Sequence, residues 1–159
     1  EKHIILLLVK KPDMVYDLDR YLKKNDLPPI SNEDMEFGDL QLVLSLILDS
    51  LKQIEIDAQE YIGANLPGDM AWLKADSEEF ILKPESITQN HIFTDLVQTF
   101  LNLRKNKVVE KINSLSMLHN SSETEPTNLD ISMIQKELLE SIKMRATLDR
   151  VLSSPLISD

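Results

Sequence analysis

Three histidines, His3, His91 and His119, are the side chains here best suited to hold a metal or shuttle a proton, and their spacing supports neither. Helical metal sites set two ligands three or four residues apart on one face. No histidine of this chain has such a neighbour, so each reads as a surface or half-buried helix residue. Asp17-Leu18-Asp19 resembles the paired acids of magnesium-dependent phosphoryl chemistry. On a helix, residues two apart point about 200° from each other, so these carboxylates cannot share an ion and read as a solvated face. Glu33, Asp34, Glu36 and Asp39 crowd a helix start, where acids complement the macrodipole. The serines lack a His/Asp constellation and nucleophile-elbow glycines. Arg104-Lys105-Asn106-Lys107 could meet an acidic partner, or be a solvated bend between packed segments. The expectation is no catalytic residue, no metal and no cofactor.

Composition excludes more. The 159 residues carry 17 Lys+Arg against 27 Asp+Glu, a net charge of −10, which argues against binding a nucleic-acid backbone as the main task. There is no Cys, hence no disulfide, thiolate metal site or cysteine nucleophile, and three Gly leave no room for a phosphate-cradling loop. The longest apolar run, Ile4 to Val9, is far shorter than the roughly 18–20 residues that span a bilayer, so no membrane partner is expected. With 42% hydrophobic residues the chain can bury a core. Starting at Glu1 without Met, it reads as an excised piece of a longer protein.

Scarce Gly, 5% aromatics and an abundance of Leu, Ile, Glu, Lys and Asp predict an all-α chain. His3 to Val9 reads as a helix ending in the basic turn Lys10-Lys11 before Pro12. A second, with Val15, Leu18 and Leu22 on one side, breaks at Asn25 to Pro29. Ser31 to Asp34 is close to a capping box opening a largely buried helix to about Lys52, with Gly38 as a kink or a break followed by Asp39 as a second cap. Asp57 caps a short helix carrying Ala58, Tyr61 and Ile62. Leu66-Pro67-Gly68 is a turn, Met70 to Leu73 a further short helix, and Asp76 to Lys83 an acidic connector.

Ile87 to Leu118 holds no Pro or Gly and reads as one long helix, about 48 Å at 1.5 Å per residue. Its stripe of Phe93, Leu96, Val97, Phe100 and Leu101 is interrupted at Arg104–Lys107 and resumes with Val108, Ile112, Leu115 and Leu118. After a polar loop from His119 to Asn128, capped by Thr127 or Asp130, a last helix runs to about Leu152. Ile131, Ile134, Leu138 and Ile142 form one stripe, and Met144, Leu148 and Val151 another displaced around the axis. Together the two helices make an antiparallel hairpin. The last helix has more apolar surface than one neighbour can cover, which suggests a protein-docking site. Charge is uneven: −8 over residues 1–83, +1 over 84–120 and −3 over 121–159.

The ordered set of motifs resembles the C-terminal helicase-binding domain of bacterial DNA primases. It comprises Leu6-Leu7-Leu8 before Pro12, Ile30-Ser31-Asn32-Glu33-Asp34, Leu66-Pro67-Gly68-Asp69-Met70, Phe93-Thr94-Asp95 and Leu101-Asn102-Leu103-Arg104-Lys105, then the hairpin. The resemblance spans nearly the whole chain. It implies a helical bundle subdomain, 1–105, continued by a long helix into a C-terminal helical hairpin, 106–159. It implies docking onto the N-terminal region of the hexameric replicative helicase through the hairpin, which here matches Ile131, Ile134, Leu138, Ile142, Leu148, Val151 and Leu152. The bundle would stimulate the helicase, while primer synthesis and zinc binding would lie elsewhere in the primase. The expected chain is non-catalytic, cytoplasmic at the replication fork, without direct nucleic-acid contact, and hinged at Arg104, Lys105, Asn106 and Lys107. A second reading is the helicase's own N-terminal collar, a self-associating module. A third, a small all-α enzyme, would need an acid–base pair that the chain does not offer.

Overall fold

A computed structural model describes residues 1–70, 72–73, 89–121 and 128–154. These residues are all-α, with no strand among them. Among the described residues the helices given bounds are α1 (Lys2–Lys10), α2 (Met14–Lys24), α3 (Gly38–Ser50), α4 (Ala58–Asn65), α5 (Gln89–Ser121) and α6 (Asn128–Ser153). Short 3-10 turns lie at Asn32–Asp34 and Gly68–Met70. The chain divides into two compact units, Glu1–Phe100 and Leu101–Asp159, and the division falls inside the continuous helix α5. The boundary expected after Lys105 lies five residues further along that helix.

In the first unit the N-terminal helices form a small bundle, with α1, α3 and α4 packed on one another. Five consecutive α1 residues, Ile4 to Leu8, are buried, so this short helix is surrounded rather than one-sided. Burying each such side chain stabilises by about 1.5–3 kcal/mol, which holds a helix too short to persist alone. By contrast, α2 is one-sided, burying Met14, Val15, Leu18 and Leu22. It ends where the sequence breaks: Asp26 adopts φ 59°, and the Leu27 N–H donates to the Leu22 carbonyl at 2.9 Å. That is a Schellman closure with an aspartate in the position glycine usually fills.

The capping-box residues are placed as expected, the Asp34 carboxylate accepting the Ser31 N–H at 2.8 Å. They cap only the 3-10 turn, however. Met35 is extended, and α3 starts at Gly38 with Phe37 at its cap, so of the two expectations for Gly38 the break is the one realised. Asp39 lies in the first turn and is not the cap. The exposed N–H groups of Glu36 and Phe37 are instead met by the Glu1 carboxylate at 2.7 and 3.4 Å. Asp57 caps α4 as expected, accepting from the Gln59 and Glu60 N–H groups. Trp72 and Leu73 are helical, and the Lys2 ammonium lies 4.2 Å from the centre of the Trp72 ring. The acidic connector 76–83 and the Thr127 cap lie outside the described residues.

Helix α5 has 33 residues, about 50 Å, and is continuous through Arg104–Lys107, where a bend is expected. It also runs through His119 and Asn120, which were expected in a loop. The stripe Leu96, Val97, Phe100 and Leu101 is buried. In the second unit α5 packs with α6 as a helical hairpin.

Candidate docking surface

Lys105 and Asp149 meet at 2.6 Å, Lys111 and Glu137 at 3.2 Å, and the ring of His119 and the amide of Gln135 at 3.3 Å. From the first pair to the last, fourteen residues forward on α5 match fourteen backward on α6, which is two heptads of an antiparallel coiled coil. The heptad that fits puts Leu101, Lys105, Val108, Ile112, Leu115 and His119 on the α5 seam. Ile131, Ile134, Leu138, Ser141, Arg145, Leu148 and Leu152 form the α6 seam. Of these, Leu101, Leu115, Ser141 and Leu148 are buried, Lys105, Val108, Ile112, His119, Ile131, Ile134, Leu138 and Leu152 are half-buried and Arg145 is exposed, while Arg104 and Val151, one position off the seam, are also buried. Polar residues interrupt the seam on both helices: on α5 they are Lys105 and His119, and on α6 they are Ser141 and Arg145, which this register sets opposite Ile112 and Val108.

The electrostatics follow from this register. The hydrogen bond from Lys105 holds the Asp149 carboxyl below its ordinary range against the opposing effect of desolvation, and the charges of Lys105 and Arg145 add to the lowering. Arg145 lies 3.7 Å from the same carboxylate. Lys111 and Glu137 occupy the same flanking position on the two helices, the pairing an antiparallel coiled coil makes along its edge.

The residues expected to meet a partner thus divide. Leu148 and Val151 are buried at 0% and 2% exposure and belong to the core. Ile131, Ile134, Leu138 and Leu152 are half-buried, on the seam. Only Ile142 presents a broad surface, at 48% exposure. Met133 and Leu139, outside the expected stripe, are more exposed, at 60% and 53%. The signal that would have found them is the strict three-four spacing Ile131, Ile134, Leu138, Ser141. It runs through a serine and places Ile142 and Leu139 off the seam. Of the expected hinge residues, Arg104 is buried, Lys105 holds Asp149, Lys107 is half-buried and Asn106 is exposed.

The groups considered for chemistry take structural positions. Asp17 pairs with Arg20 at 3.3 Å, while Asp19 accepts the Ile30 N–H at 2.8 Å, so the two acids serve separate ends as their angular separation requires. His3 meets Asp95 at 2.6 Å, joining α1 to the first turns of α5 within the first unit. His91 is exposed. A groove of about 430 Å³ lies beside Tyr21 and Phe93, whose rings meet edge to face at 6.4 Å, with Asp17, Arg20 and Lys24 around it. Burial raises the Tyr21 phenol above its usual pKa. Among the described residues no group of three His, Cys, Asp or Glu could hold a metal ion, and no helix is long and apolar enough to cross a membrane.

Comparison with protein-family models, with curated proteins and with solved structures returns no match.

Proposed function

We propose that this chain is the helicase-binding domain of a bacterial DNA primase, a non-catalytic module that docks primase onto the N-terminal region of the hexameric replicative helicase through its C-terminal hairpin. The observation that carries the reading is the exposed apolar surface of α6. Leu139 and Ile142 stand off the α5 seam on the same side of α6 and stay 53% and 48% exposed. Large apolar side chains grouped on one element gain stability only when another surface covers them. The all-α bundle followed by a hairpin is the architecture that the ordered motifs of the resemblance imply. In this role the bundle would modulate the helicase, and the primase active centre would lie in other parts of the parent protein.

The test is binding of the 159-residue chain to the replicative helicase of the same organism, with and without residues 120–159. Binding that disappears with the hairpin supports the proposal. Retained binding moves the contact to the bundle. A chain that leaves the helicase unbound and sediments as a ring of its own would be a collar domain instead.

A further inference from the structure

The heptad that fixes the α5–α6 seam also fixes what α6 presents on its opposite side. Positions pointing away from α5 are occupied by Lys136, Lys143 and Arg150, seven residues apart and all exposed. Their spacing along the axis is about 10.5 Å. Lys136 and Lys143 join no ion pair among the described residues. Along one edge of this row run Leu139, Ile142 and Ala146, also exposed. Along the other edge lie Glu137 and Glu140. Helix α6 therefore carries a basic ridge with an apolar border on one side and an acidic border on the other.

We propose that this ridge and its apolar border are a docking surface for a protein helix that is acidic at intervals of about seven residues and apolar alongside. The partner's carboxylates lie along Lys136 and Lys143, and its apolar side chains cover Leu139 and Ile142. The inference rests on the helicase-docking reading and names the chemistry that the helicase surface must present. Charge arrangement selects a protein over a polyanion. Residues 128–153 hold four basic and four acidic side chains, so the helix has no net charge to attract a phosphate backbone or an anionic membrane. Segregated charge on a neutral helix instead sets orientation and register against a complementary surface. The apolar border supplies the desolvated contact that an exposed row of cations lacks.

The test measures affinity of the 159-residue chain for the replicative helicase at two salt concentrations. The variants are the doubles Lys136→Glu/Lys143→Glu and Leu139→Ser/Ile142→Ser, with Glu140→Gln as control. Helical content and melting temperature are checked for each. The milder double Lys136→Gln/Lys143→Gln stands in if charge reversal disturbs folding. The charge-reversal double is expected to weaken binding at least about tenfold and to flatten its salt dependence. The apolar double weakens it about tenfold with the salt slope kept, and the control stays within about twofold. Wild-type affinity in both doubles overturns the surface while leaving helicase docking intact. Failure of the unaltered chain to bind the helicase overturns both. Binding to phosphatidylserine vesicles or duplex DNA that is lost in the lysine double, with helicase affinity unchanged, assigns the ridge to an anionic polymer or lipid and also overturns it.

Discussion

The Lys105 ammonium lies 2.6 Å from the Asp149 carboxylate and ties α5 to α6 at the end of the hairpin far from its connection. Because the hydrogen bond from Lys105 depresses the Asp149 pKa, the folded hairpin holds this carboxylate ionised to lower pH than the unfolded chain does. A depressed carboxyl contributes stability above its unfolded value, about 3.9, and loses it as pH falls through the folded value. Melting temperatures of the unaltered chain and of Asp149→Asn, followed from pH 7 to pH 2, should therefore differ near neutrality and converge in acid. A gap that persists at pH 2 would contradict the pairing. Both side chains are partly exposed, so the gap should also narrow at high salt.

Leu148 is fully buried, while Ile142 is 48% exposed. Leu148→Ala should cost about 2–5 kcal/mol of stability by urea unfolding. Ile142→Ala should stay within about 0.5 kcal/mol. Comparable losses at the two positions would mean that Ile142 is as enclosed as Leu148, against the register.

Asn106 sits on the exposed side of α5 within the stretch expected to bend. In continuous helix, Asn106→Ala should stabilise by about 0.5 kcal/mol through helix propensity alone, and Asn106→Pro should cost about 3 kcal/mol or more. If both variants unfold at the same urea concentration as the unaltered chain, residues 104–107 are not helical in solution.

Asp26 holds φ 59° at the end of α2. Left-handed backbone costs a side-chain-bearing residue about 1–2 kcal/mol, and less for Asp. Asp26→Gly should therefore raise stability by up to about 1 kcal/mol, read as a higher melting temperature. A lower one would show that the aspartate side chain contributes more than the backbone strain removes.

Much of the helical outline was legible because helix limits are set by neighbouring groups. Pro12 stops α1, the Asn25-Asp26 pair closes α2, Asp57 caps α4, and the absence of Pro and Gly lets α5 run long. The docking stripe was less legible. Ile142 was grouped with Ile131, Ile134 and Leu138 because it is apolar, whereas the register of α5 on α6 buries Ser141 in its place. Arg104–Lys107 reads as a bend from its run of charges, and it lies within continuous helix. One of those charges, Lys105, is held in place by Asp149, forty-four residues away.

By itself, then, the sequence determined the all-α class and those helix limits that a proline, a cap or a break sets locally, since each depends on residues within a turn or two of one another. Tertiary structure decided which faces are covered. Glu1 caps the chain at Glu36 and Phe37, His3 holds Asp95, and the hairpin register turns Leu139 and Ile142 outward while enclosing Leu148. Local propensity cannot make those choices. Side chains at either register are equally compatible with a helix, and only pairing across long chain separations selects between them.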